Sequence, residues 1–382
     1  MQVSSFHSLV NLAIKHSASD IHVRADEVPL LRIRGELHPI QSKALSTADV
    51  EGIIKILLGS DENMKKFFQY DEHDGAYEVS GVCRLRYNFF KYQGKRGIII
   101  RLIKTTVPTI DQLGLHQSLK SISLFSRGLV LVTGETGSGK STTLASMINE
   151  INHSKATHII TIEDPVEYVH TQKKSRVTQR EVGVDTKDFT SGLRSALRQD
   201  PDIILIGEMR DPETVGIALK AAETGHLVFS TVHTTDAIST IGRIISLFPS
   251  SEQEDVKKRL AENLKATISQ RLLPASTPTG LIAAQEIMIS GPGIKECILG
   301  EAPLSQIQRI IAKARGQKTM QTFDQHILEL YQNRKITKDT ALNAVNSQTD
   351  FIQKLAIDDE FESEMVTKTH KLKDDDDDEI IR

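Results

Sequence analysis

Only two cysteines, Cys83 and Cys297, occur among the 382 residues. That number excludes a disulfide framework and a four-cysteine zinc site, and it suits a reduced cytosolic setting in which both thiols act as small apolar residues. No stretch approaches the ~18 consecutive apolar residues of a membrane span. The opening segment, Met1 to Ser17, has neither the basic start nor the apolar centre of a signal peptide. A soluble, cytoplasmic chain with no integral membrane segment is expected. Internal repeats are lacking as well, and the length points to two domains rather than one.

Charge of one sign is also scarce over most of the chain. The net charge is −3, but from Ala356 onward eleven acidic residues face four basic ones, a local −7 that leaves about +4 for everything before it. Such a nearly neutral body lacks the concentrated basic face on which nonspecific nucleic-acid binding depends, so no nucleic-acid partner is expected. The run Asp374 to Glu379 repels itself and has nothing to bury. The tail, residues 356–382, therefore reads as acidic and disordered.

Against these absences stands one dense motif. Gly134-Glu135-Thr136-Gly137-Ser138-Gly139-Lys140-Ser141-Thr142 follows the apolar run Leu129 to Val132 and fits G-x-x-x-x-G-K-[ST] at every position. Glycines let the backbone turn so that consecutive N–H groups face phosphate oxygens, where a Cβ would obstruct. Lys140 is expected to reach the β- and γ-phosphates, and Ser141 to offer its hydroxyl to Mg²⁺. A helix-forming run, Thr142 to Asn149, follows in the required order.

The surrounding pattern supports an α/β fold. In the first hundred residues, Asn11 to His16 is helix-like, and Asp20 to Arg24, Leu30 to Arg34, Val82 to Phe90 and Arg96 to Ile103 read as strands. Val50 to Leu58 is expected to form a helix capped from Ser46, Thr47 or Asp49. Residues 105–118 read as a linker between a first domain, 1–104, and a second, 119–355. In that second domain Leu129 to Thr133, His158 to Ile162, Ile203 to Ile206 and Leu227 to Val232 are short and rich in Val and Ile, as buried parallel strands are. From Pro249 the pattern turns helical. Ser251 with Glu254 suggests a capping box, and Val256, Leu260, Leu264, Ile268 and Leu272 then recur every fourth residue as one helical seam. A further helix is expected at Thr322 to Asn333.

Hydrolysis needs more than a phosphate loop: a carboxylate to orient water, and positive charge for the transition state. The candidate carboxylates stand after predicted strands, where ligands of open α/β sheets bind. Glu163 and Asp164 follow His158 to Ile162, and Glu208 follows Ile203 to Ile206. Gly207 occupies the place where many phosphate-loop enzymes carry a Mg²⁺-binding Asp, which shifts the expected metal ligands to Ser141 with Glu163 or Asp164 and leaves Glu208 to orient water. His226 and His233 flank the strand Leu227 to Val232. His233 is expected near the γ-phosphate and His226 at the opposite end. For each, a plain hydrogen-bonding role is the competing reading.

These segments together resemble the secretion-type AAA-like ATPases of type IV pili and type II secretion, and most closely the twitching-motility retraction ATPases, the PilT/PilU family. The resemblance runs from about Phe6 to Leu355. It rests on Ala18-Ser19-Asp20-Ile21-His22, the phosphate loop, an acidic box at Thr161 to Tyr168, the segment Leu197 to Asp211, and a histidine box at Gly225 to Thr235. It implies a PAS-like N-terminal domain followed by a RecA-like P-loop ATPase domain with a helical C-terminal part, assembled as a homo-hexamer, alone or mixed with a paralogue. It further implies ATP and Mg²⁺ as cofactors, an inner-membrane platform protein as partner, and a peripheral position at the pilus base. Arg86 and Arg101 match the family's arginine fingers, which complete a neighbour's site; their guanidinium groups stay charged and bind phosphate oxygens with two donors.

Assembly and secretion ATPases of this superfamily usually carry a larger N-terminal extension and a tetracysteine zinc module. This chain has neither, which favours the retraction branch. It departs from that branch at Gly293-Ile294-Lys295-Glu296-Cys297-Ile298-Leu299-Gly300, where retraction ATPases carry a motif with two arginines. The expectation is thus an ATP-hydrolysing retraction motor, with the departure leaning towards an accessory paralogue or a divergent second retraction ATPase; the alternatives are a pilus assembly or type II secretion ATPase, or a nucleotide-dependent accessory subunit of another retraction ATPase. The absence of an N-K-x-D guanine reader favours ATP over GTP.

Overall fold

A computed structural model of the chain describes residues 3–33, 35–59, 72–79, 82–103, 106–277, 280–314 and 319–356. The expected acidic tail lies outside these residues apart from Ala356, as do position 104 at the end of the expected first domain and position 105 at the start of the expected linker.

In chain order the elements begin with α1 (Val3–Lys15), β1 (Asp20–Arg24), β2 (Leu30–Ile33), β3 (Glu36–Pro39) and α2 (Thr47–Leu58). Then come β4 (His73–Val79), β5 (Cys83–Tyr92), β6 (Lys95–Ile103), α3 (Ser118–Ser123), β7 (Gly128–Thr133) and α4 (Lys140–Ser154). The middle of the chain holds β8 (His158–Glu163), β9 (Arg176–Glu181), α5 (Phe189–Ala196), β10 (Ile203–Ile206), α6 (Pro212–Glu223), β11 (Leu227–Val232) and α7 (Ala237–Ser246). It closes with α8 (Gln253–Asn263), β12 (Leu264–Pro274), β13 (Leu281–Ile289), α9 (Pro292–Leu299), α10 (Gln306–Lys313), α11 (Phe323–Gln332) and α12 (Lys338–Ala344).

Strands order as β3-β2-β1-β6-β5-β4 and as β10-β8-β9 within one unit, and as β13-β12-β7-β11 within the other. The chain divides into two compact units, Met1–Pro108 with Ile148–Gly207, and Thr109–Met147 with Glu208–Arg382.

In the first unit the six-stranded sheet alternates strictly along β5, where Cys83, Leu85, Tyr87 and Phe89 are buried and Arg84, Arg86, Asn88 and Phe90 face outward. This period-2 pattern is that of a sheet with one covered face. The inner face packs on α1 and α2 through Phe6, Val10, Ile53, Ile54 and Leu57. The α2 helix starts as its sequence suggests, with Ser46 and Asp49 forming a capping box. In the same unit β8 runs parallel to both β10 and β9, and β10 is buried at every residue.

The second unit centres on β7, fully buried and parallel to both β11 and β12. Here one expectation fails. The seam from Val256 to Leu272 is a single helix by spacing, yet α8 stops at Asn263 and the chain continues as β12, antiparallel to β13. A spacing of four cannot separate the two forms, because residues i and i+4 share a face of a strand as well as of a helix. Leu264 and Ile268 are buried in the sheet instead. The expected capping box at Ser251 is also absent: a turn closed by the Glu252 N–H on the Pro249 carbonyl moves the start of α8 to Gln253. The α11 helix, by contrast, lies within the expected span and is capped from Thr322 with Gln325.

Candidate functional site

The phosphate loop joins β7 to α4. Gly134, Gly137 and Gly139 take φ values of +144°, +82° and +87°, which side chains other than glycine rarely adopt. Two of them are confined on a second count. A Cβ on Gly134 would lie 2.4 Å from the Gln270 carbonyl oxygen, and one on Gly139 would lie 2.8 Å from Gln270 Nε2. The loop is thus pressed against β12.

Lys140 is 8 % exposed and donates from Nζ to the carbonyls of Gly134 (2.9 Å) and Glu135 (2.7 Å). Burial lowers its pKa, and the charge of Glu208 pulls the other way. The Ser138 hydroxyl is buried without a hydrogen-bond partner. Glu135, Thr136, Gly137 and Ser141 are exposed, with Thr142 half-buried on the first turn of α4. Beside the loop lies a cavity of about 520 Å³, walled by residues 134–138, the end of β12 from Gln270 to Pro274, and α12. That volume is of the size that holds small-molecule ligands. An orphaned hydroxyl, a buried ammonium bonded only to loop carbonyls, and glycines with no room for a Cβ together fit a polyphosphate.

Glu208 follows β10 and is 16 % exposed at its side chain. It receives Arg210 Nε at 2.7 Å and stands 3.6 Å from His233 Nε2. The backbone supports this corner, since the N–H of Met209 donates to the Thr231 carbonyl at 3.1 Å. Because β11 pairs with β7 as Val232 with Thr133, His233 leaves its strand at the same end from which the phosphate loop departs. His226 sits at the other end, about 20 Å away by strand rise. There its Nδ1 is 2.9 Å from the Ala221 carbonyl and 3.2 Å from Thr224 Oγ1. The two histidines are not brought together, and His226 ties the end of α6 to β11. Asp211 caps α6 through the N–H of Thr214 at 2.8 Å.

Glu163 is placed differently. Its carboxylate accepts from Thr161 Oγ1 at 2.6 Å and from Gln179 Nε2 at 3.1 Å. Burial is the largest influence and pushes its pKa up, against those hydrogen bonds. Asp164 is exposed. Among the described residues no group of three or more His, Cys, Asp or Glu side chains is arranged to hold a metal ion. Magnesium does not require one: it keeps waters and phosphate oxygens and takes one or two protein oxygens, a role open to the exposed Ser141 hydroxyl.

Arg86 and Arg101 stand directly opposite each other on β5 and β6, and Asp20 of β1 opposes Arg101 on its other side. Arg101 Nε donates to Asp20 Oδ1 at 2.8 Å; the aspartate is 5 % exposed and the arginine side chain 58 %. That bond raises the arginine's pKa further. Like charges directly across a sheet cost stability, so the Arg86–Arg101 pair has no structural rationale by itself. Gln270 and Arg210 were not among the expected site residues. The only signal for Gln270 was a polar residue within an otherwise buried segment.

A phosphate loop leaving a fully buried strand that is paired in parallel on both sides, with a carboxylate held by Arg210 in the same unit, defines a phosphate-loop ATPase of the RecA-like type. The sequence matches the family described as type II/IV secretion system protein over residues 3–356, and the chain belongs to that family. It is 44 % identical to the type IV pilus retraction ATPase PilT of Pseudomonas aeruginosa over 333 residues, covering 87 % of this chain and 96 % of that protein. To the type IV pilus ATPase PilU of the same organism it is 35 % identical, covering 90 % of each. Among solved structures, the pilus retraction motor PilT with bound ADP superposes with a TM-score of 0.80 at 41 % identity, covering 90 % of this chain and 97 % of that one. No helix among the described residues is long and apolar enough to cross a membrane.

Proposed function

We propose that this chain is an ATP-hydrolysing motor that powers retraction of a type IV pilus, working as a hexameric ring at the cytoplasmic side of an inner-membrane platform protein. The observation that carries this reading is the loop with Lys140 and the Glu208 corner, held in a chain 44 % identical to a retraction ATPase over 96 % of its length. Residues 134–142 hold the phosphates, and ATP supplies the phosphoryl group whose transfer drives the motion. Lys140 exchanges its two loop carbonyls for phosphate oxygens. Ser141 offers its hydroxyl to Mg²⁺, which keeps waters and phosphate oxygens as its other ligands.

Glu208 orients the attacking water and takes up its proton. Arg210 and His233 fix the direction of the Glu208 carboxylate until substrate enters, and His233 reports the state of the nucleotide. The exposed Arg101, steadied by Asp20, and its neighbour Arg86 supply positive charge to the site of an adjacent protomer. His226 lies outside this set.

A chromosomal Glu208→Gln replacement tests the reading in living cells. Excess surface pili that no longer retract are expected; loss of pili would instead mean an assembly motor. Normal behaviour would favour the accessory reading, for which the changed segment at Gly293 to Gly300 is the specific observation. That segment forms α9 with Ile294, Cys297 and Ile298 buried. In that case a Lys140→Ala chain would still support twitching beside an active paralogue.

A further inference from the structure

Gln270 is 2 % exposed in the middle of β12, and every polar atom of its side chain is engaged. Its Nε2 donates to the Ser138 carbonyl at 2.6 Å. Its Oε1 accepts from Thr143 Oγ1 at 2.7 Å and from Gln285 Nε2 at 3.1 Å. Gln285, wholly buried, is its direct partner across β12 and β13. Gln285 in turn accepts the His116 N–H at 3.2 Å, and its own backbone N–H donates to His326 Nδ1 at 2.9 Å. Buried amides are uncommon and costly unless satisfied, so a fully bonded pair beside a ligand loop calls for a reason.

The geometry supplies one. In a trans peptide the C=O and the following N–H point in opposite directions. A donor that holds the Ser138 carbonyl toward β12 therefore fixes the Gly139 N–H away from it, and Thr143 anchors the donor to the helix that the loop opens. A Cβ added to Gly139 would meet the Gln270 side-chain amide, and one added to Gly134 its backbone carbonyl, so the loop lies close against this residue. We propose that Gln270 is a positioning residue that sets the Ser138–Gly139 peptide in its phosphate-binding orientation, with Gln285 bracing it. The inference rests on the nucleotide reading of the loop.

The test uses the full chain and ADP binding by calorimetry. Gln270→Glu keeps an acceptor for Thr143 and Gln285 but, when ionised, cannot donate to Ser138. ADP affinity is expected to fall at least tenfold at pH 8 and to recover at pH 6, where the buried carboxyl takes a proton and regains the donor. Because ionising the buried carboxyl is costly, the variant's thermal midpoint without nucleotide should fall from pH 6 to pH 8, and affinity is therefore read well below both midpoints. A merely structural role would lower the midpoint in the same way and leave the ADP affinity of the folded chain as in wild type at both pH values. Should this variant fail to fold, Thr143→Val, which removes the anchor without touching the loop, is expected to weaken ADP at least threefold. Wild-type ADP affinity in either folded variant, with Lys140→Ala abolishing binding, overturns the positioning role and leaves the nucleotide reading intact. A wild-type chain that binds no ADP overturns both.

Discussion

The strand ends after β8 and β10 each carry a glutamate, and the two have opposite surroundings. Glu208 faces a guanidinium at 2.7 Å and an imidazole at 3.6 Å. Glu163 faces a hydroxyl and an amide, and burial lifts its pKa. A carboxylate held by a guanidinium keeps a charged partner beside the reacting centre; for Glu163 it is burial, working against its hydrogen-bond donors, that favours the protonated form. Position at a strand end therefore does not assign a role. The charge of the neighbours does, and it separates a residue suited to the chemical step from one suited to holding local structure.

The hardest test of that contrast is Glu208→Gln, which keeps shape and removes the acceptor. Turnover should fall about 10³-fold, within the range of positioned acid–base catalysis, while ADP affinity stays within about threefold. An ADP affinity lost in parallel would mean that Glu208 shapes the pocket instead of acting on water. Next in size is Arg101→Ala, expected to lower turnover by about 10²-fold or more and to spare ADP binding. Mixing Arg101→Ala chains with Glu208→Gln chains should restore part of the activity, because some interfaces then pair an intact arginine with an intact glutamate. No recovery in the mixed ring would place both residues in one protomer's site.

Much of this was legible in the sequence, for a physical reason: the phosphate loop is local. Its glycines, Lys140 and the flanking β7 and α4 lie within a few turns of chain, and each residue type is dictated by backbone geometry. The strands of the parallel core were legible too, as short Val- and Ile-rich runs. What failed depended on partners far away. The helix–strand junction at Asn263 is set by pairing with β7 and β13, and spacing alone could not show it. Gln270 meets Ser138 and Thr143 across 132 and 127 residues. The environments of Glu163 and Glu208 were likewise hidden, since Gln179 and His233 come from other elements.

The smallest effect separates the two glutamates most sharply. If burial holds Glu163 in its protonated form, Glu163→Gln should change turnover less than about fivefold, since the amide imitates the neutral acid. Its stability should then carry a definite pH signature. A carboxyl whose pKa is higher in the folded than in the unfolded chain stabilises fully below its ordinary range, near 4.5, and loses that contribution as pH rises through the raised value. Wild type should therefore match the variant in thermal midpoint near pH 5 and fall below it near pH 8, by roughly 2–4 °C for each kcal/mol involved. Other titrating groups cancel in the difference between the two chains. A gap of the opposite sign, with wild type gaining on the variant as pH rises and more so with Mg²⁺ and ADP, would show an ionised Glu163 working on the metal. The contrast with Glu208 would then fail.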